Sequence, residues 1–97
     1  MACKVFFKCI VKRMSGVFKF NSAKTETCPV EPRKGMGWHM KIGEDYFHFS
    51  VYDVTWSEKE ERYEVILESR VILSEFISNE ELLDRVKSDP RWEIVKY

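Results

Sequence analysis

The chain is poor in the residues that metal, redox and nucleotide chemistry need. Two histidines, His39 and His48, and three cysteines, Cys3, Cys9 and Cys28, are scattered along its 97 residues. No CxxC spacing occurs, and structural zinc takes three or four protein ligands, so we expect no metal site. Cys3 and Cys9 lie six positions apart on one predicted strand, about 20 Å at the strand rise, and cannot bridge. The thiols are therefore expected to stay free in a reducing compartment, Cys28 on a mobile loop. None of the four glycines falls in a P-loop or dinucleotide fingerprint, which leaves no nucleotide cofactor to expect. No apolar run approaches the roughly 18 residues that cross a bilayer. Lys4 and Lys8 interrupt the N-terminal stretch, so it reads as neither signal peptide nor anchor. These absences imply a soluble, cytoplasmic protein with no membrane partner.

What is present is globular. Hydrophobic residues make up 44% and charged residues 33%, the balance of a chain that can bury a core. The length suits one domain over residues 1–97, because domains cluster near roughly 100 to 150 residues. Aromatics at 14% fall mostly in alternating stretches, which favours sheet.

Cys3, Val5, Phe7, Cys9 and Val11 share one parity and Lys4, Lys8 and Lys12 the other, the period of a half-buried first strand over 3–13. Met14-Ser15-Gly16 supplies a tight turn into a second strand with Phe18 and Phe20. Residues 22–37, with two prolines and two glycines, read as irregular. Gly43-Glu44 fits a type II′ turn between two strands, and the register that keeps both apolar sets on one face sets Met40 opposite Phe47, Trp38 opposite Phe49 and His39 opposite His48. Ser57 to Glu61 reads as a solvated turn before a fifth strand over 63–73. Ser78 with Glu81 three residues on forms a capping box for a helix that ends at Asp89-Pro90, followed by a terminal strand over 91–97. The fold class is α+β: a twisted antiparallel sheet of five to six strands with one short C-terminal helix, in the order βββββαβ. So short a helix covers only part of such a sheet, so curvature or a partner must cover the rest.

The sheet face opposite the core interleaves cations and rings: Lys4, Phe6, Lys8, Ile10, Lys12, Lys19, His39, Lys41, Tyr46, His48, Ser50 and Tyr52. Such a face suits an acidic protein surface or the stacked bases and phosphates of single-stranded nucleic acid. Residues 1–42 carry nine Lys and Arg against two acids, and residues 43–97 seven against fourteen. Either the +7 and −7 halves form a basic and an acidic end, the latter with Glu58, Glu60, Glu61 and Glu64, or strand pairing interleaves them. The loop around Arg33 and Lys34 leads to Trp38, a loop contact or a core residue.

Nucleophilic catalysis needs an imidazole beside a serine or cysteine in a pocket, and both histidines are expected on a flat sheet. We therefore expect no enzyme. The format is shared with small phage or mobile-element proteins that block host enzymes and with toxin-neutralising immunity proteins. The expected function is that of a non-catalytic protein-binding domain, a small inhibitor or regulator. Its expected contacts are Lys8, Lys12, Lys19, Lys41, Tyr46, His48, Tyr52, Trp56, Glu60, Glu61 and Glu64, with Arg33, Lys34 and Trp38 from the loop. The alternative is a single-stranded nucleic-acid module, which net neutrality opposes; a homodimer closed over the uncovered face is a third.

Overall fold

The computed structural model describes residues 2–13, 16–69 and 78–95. Among them the elements run β1 (Cys3–Arg13), β2 (Gly16–Ser22), β3 (Glu26–Cys28), β4 (Gly37–Ile42), β5 (Asp45–Ser57), β6 (Arg62–Ser69), α1 (Asn79–Ser88) and β7 (Trp92–Ile94). All strands join one sheet in the order β4-β5-β6-β1-β2-β7, with β3 paired to β1 beside this path. The α+β class holds, and no helix among the described residues is long and apolar enough to cross a membrane.

Both hairpins form. β1 and β2 pair antiparallel from Lys8↔Asn21 to Arg13↔Gly16. β4 and β5 pair with Trp38 opposite Phe49, His39 opposite His48 and Met40 opposite Phe47, the register that apolar parity dictates. Gly43 has φ +64 while Glu44 stays outside the left-handed region, which suits a type II′ turn.

The sheet is mixed rather than antiparallel. β6 runs antiparallel to β5 but parallel to β1, from Val5↔Tyr63 to Ile10↔Glu68. It thereby joins the two hairpins, and with a neighbour on each edge its Val65 and Leu67 are sealed in the core. Within the expected irregular segment, β3 pairs with β1 through Cys3↔Cys28, Lys4↔Thr27 and Val5↔Glu26, so the strand count rises to seven among the described residues and Cys28 sits in a strand, not a mobile loop. β1 thus changes neighbour midway: β2 pairs from Lys8 onward and β3 up to Val5. In the gap, the Phe7 amide donates to Oγ of buried Ser22 at 2.9 Å, satisfying a donor that the ladder would otherwise orphan. Of the expected fifth strand, residues 70–73 lie outside the described residues, as do residues 96 and 97 of the terminal strand.

β5 carries a bulge. Its register passes from Val51↔Leu67 to Asp53↔Ile66, so Tyr52 is the extra residue and the inward parity changes from Phe47, Phe49 and Val51 to Val54 and Trp56. The sheet also curls. Phe7 of β1 and Trp38 of β4 stand three places apart in the sheet order, yet their ring centroids are 5.3 Å apart. At the turn of that hairpin the Gly43 amide donates to Asp89 Oδ2 at 3.1 Å, and Arg85 of α1 pairs with Asp45. Curvature thus wraps the core where the helix is too short, and α1 adds Leu82 and Val86, both fully buried. Each such side chain contributes about 1.5–3 kcal/mol relative to an exposed one. Ser78 caps the helix, its Oγ accepting from the Glu81 amide at 3.1 Å as the capping box requires.

Candidate functional site

The outer face of the sheet gathers most of the expected contacts, but not as a basic surface. Lys8 faces Glu64 at 3.3 Å and Lys12 pairs with Glu68, because the insertion of β6 beside β1 lays an acidic row along the lysine row. Arg62 joins them, bonding Glu64 at 3.2 Å and Thr25 Oγ1 at 2.8 Å while its guanidinium lies 4.1 Å from the centre of the Phe6 ring. Burial pushes the Glu64 carboxyl up, but the hydrogen bonds from Arg62 and Lys8 together outweigh it and hold the group below its ordinary value. The bond to Glu68 raises the Lys12 ammonium. Strand pairing has therefore interleaved the charges of the two halves, and Phe6 is half-buried beneath a cation.

Further along that face Tyr46 is 68% and Tyr52 60% exposed, the first across from Lys41 near the turn and the second at the bulge. Between them His39 Nε2 and His48 Nδ1 lie 3.0 Å apart, so one imidazole donates and the other accepts. No group of three or more His, Cys, Asp or Glu is placed to hold a metal among the described residues. The cysteines lie on the inner face, away from both imidazoles. Lys19 is half-buried on β2.

The loop residues separate. Arg33 and Lys34 are exposed, and Lys34 lines an open groove of about 470 Å³ with Ser50, Tyr52, Glu68 and Ser69. Trp38 turns inward onto Phe7 and belongs to the core margin.

A second surface forms where β5 and β6 meet their turn. The bulge sends Trp56 to the inner parity, directly across from Tyr63, with the two rings 5.0 Å apart in edge contact. This lies beyond the core, so Trp56 remains 55% exposed. The Tyr63 hydroxyl donates to Glu31 at 3.3 Å, and the charge of Glu31 raises its pKa. The adjoining turn presents exposed Glu58, Lys59, Glu60 and Glu61, shaped by a Glu60 amide bond to Ser57 Oγ at 3.2 Å and by Glu61 at φ 53. Trp56, Glu60 and Glu61 therefore come together, whereas Glu64 does not join them. Neither Tyr63 nor Arg62 is among the contacts expected from the sequence. No protein-family model, curated protein or solved structure matches the chain.

Proposed function

We propose that the chain is a non-catalytic protein-binding domain, an inhibitor or regulator, whose contact is the rim formed by Trp56, Tyr63 and the acidic turn Glu58–Glu61. The observation that carries this reading is the exposed Trp56 ring, held against Tyr63 without being covered. A preordered aromatic loses little entropy on binding, and tryptophan and tyrosine dominate interface energies. Three glutamates and one lysine around it favour a partner with a basic surface. The nucleic-acid alternative draws less support, because Lys8 and Lys12 already have carboxylate partners.

The test is affinity capture from the source cell's lysate with wild-type, Trp56→Ala and Glu60→Lys/Glu61→Lys baits, quantified by mass spectrometry. A protein retained by the wild type and lost at least tenfold by both variants is the expected result. Retention of every captured protein by Trp56→Ala would remove the rim from consideration. An oligonucleotide anisotropy titration at two salt concentrations separates the alternative, which requires steep salt dependence.

A further inference from the structure

We propose that Cys3 and Cys28 form a thiol–disulfide site, closing into a reversible disulfide when a small oxidised disulfide of the glutathione class is the oxidant. Cys3 opens β1 and Cys28 ends β3, and the antiparallel register sets them directly opposite each other. Residues so placed have Cα atoms about 4.5 or 5.5 Å apart, inside the ~4.4–6.8 Å window of a disulfide. Both point to the inner face, since Cys3 shares the parity of buried Val5 and Phe7. Both thiols are free. β3 is a three-residue strand, short enough to take up the small approach that bond formation requires. Cys9 is excluded by position: six residues along β1 put it roughly 20 Å from Cys3, and its cross-strand neighbour is Phe20.

Exposure orders the steps. Cys3 is half-buried while Cys28 is 7% exposed, so the oxidant meets Cys3. The Cys3 thiolate attacks one sulfur of the oxidised reagent, whose S–S bond breaks and releases one thiol, which takes up the proton lost by Cys3. The Cys28 thiolate then attacks Cys3 Sγ in the mixed disulfide and expels the second thiol, which takes up the proton lost by Cys28. Two protein thiols are oxidised and one small disulfide is reduced. Burial raises the Cys28 thiol, as does the charge of Glu26, and the smaller lowering by Arg91 does not reverse this. Its thiolate is therefore scarce, and its attack draws on being intramolecular. The closed bridge staples β3 to β1 and fixes the start of the loop that carries Arg33 and Lys34. The assignment does not rest on the rim proposed above.

The full chain, equilibrated in a series of reduced and oxidised glutathione buffers, is acid-quenched, alkylated and mapped by mass spectrometry. Expected is one intramolecular Cys3–Cys28 bridge with the mass lowered by two hydrogens, Cys9 alone alkylated, a raised Tm, and full reversal by dithiothreitol. Cys9→Ala should retain the bridge, and Cys3→Ser and Cys28→Ala should lose it. Three alkylated thiols in the most oxidising buffer, a lasting glutathione adduct on wild-type Cys3, a bridge to Cys9, or linkage between chains would each overturn the proposal. The wild-type map decides even if a variant fails to fold.

Discussion

Removing Glu26 should destabilise the protein far more than removing both members of its ion pair. Glu26 projects from β3 to the inner face, and Arg91, just before β7, meets both of its oxygens through Nε and Nη2. The guanidinium also lies 4.7 Å from the Trp92 ring centre, and the Arg91 carbonyl accepts from the Ala23 amide at 2.7 Å. Side-chain exposures of 33% for Arg91 and 18% for Glu26 make this a half-buried pair. Breaking a fully buried pair from one side costs about 3–5 kcal/mol, since a charge is left unpaired, and partial solvation here reduces that to about 2–3 kcal/mol. A domain of this length is stable by only about 5–15 kcal/mol, so Glu26→Ala should shift the urea midpoint plainly. Glu26→Ala with Arg91→Met leaves no orphaned charge and should recover at least half of the loss. Equilibrium urea unfolding of the wild type, Glu26→Ala, Arg91→Met and the double variant, followed by far-UV circular dichroism and tryptophan fluorescence, measures the coupling directly. A Glu26→Ala loss below about 0.5 kcal/mol, or single losses that simply add in the double variant, would refute the reasoning.

Ser22→Ala should cost about 1–3 kcal/mol, because the Phe7 amide loses its buried acceptor, and the same unfolding assay reads it. Deleting Tyr52 should leave a folded protein within about 1.5 kcal/mol of wild type, since the remaining ladder keeps Val51 against Leu67 and Val54 against Val65. Deleting Ile10 instead turns Val11 outward and should abolish the cooperative transition. The lowered Glu64 pKa implies stability that is present above the group's ordinary value of 4.5 and lost as pH falls through its folded value. Glu64→Gln should therefore flatten that part of the acid limb of a stability–pH curve, and an unchanged limb would count against the pairing with Arg62 and Lys8.

The parts of the fold that were legible are those set by neighbours in sequence. The β4–β5 register followed from one glycine turn and one apolar parity, and the start of α1 from Ser78 and Glu81. Period-two alternation says which face a side chain takes but not which strand lies along an edge, so the place of β6 beside β1 was not written in its own pattern. β3 is too short for periodicity, and tertiary partners, Cys3 across from Cys28 and Arg91 against Glu26, hold it. The bulge did leave a trace, because apolar parity changes from Phe47, Phe49 and Val51 to Val54 and Trp56, and only one extra residue reconciles the two.

The same distinction explains why the cations of the outer face were legible and their carboxylate partners were not. Counting Lys8 and Lys12 on one strand establishes a charged row but not its neighbour. In the fold Lys8 meets Glu64 and Lys12 meets Glu68, so each pair is separated by the same interval along the chain. Antiparallel strands keep the sum of partner numbers constant, whereas parallel strands keep the difference constant. Two four-residue steps of opposite charge, one in each strand, satisfy either direction, since antiparallel pairing would set Lys8 against Glu68 and Lys12 against Glu64; the charges match the parallel register of β6 on β1 without choosing it. Lys8 and Lys12 are satisfied within the chain by that arrangement, whereas the acidic residues of the Glu58–Glu61 turn beside Trp56 stay exposed.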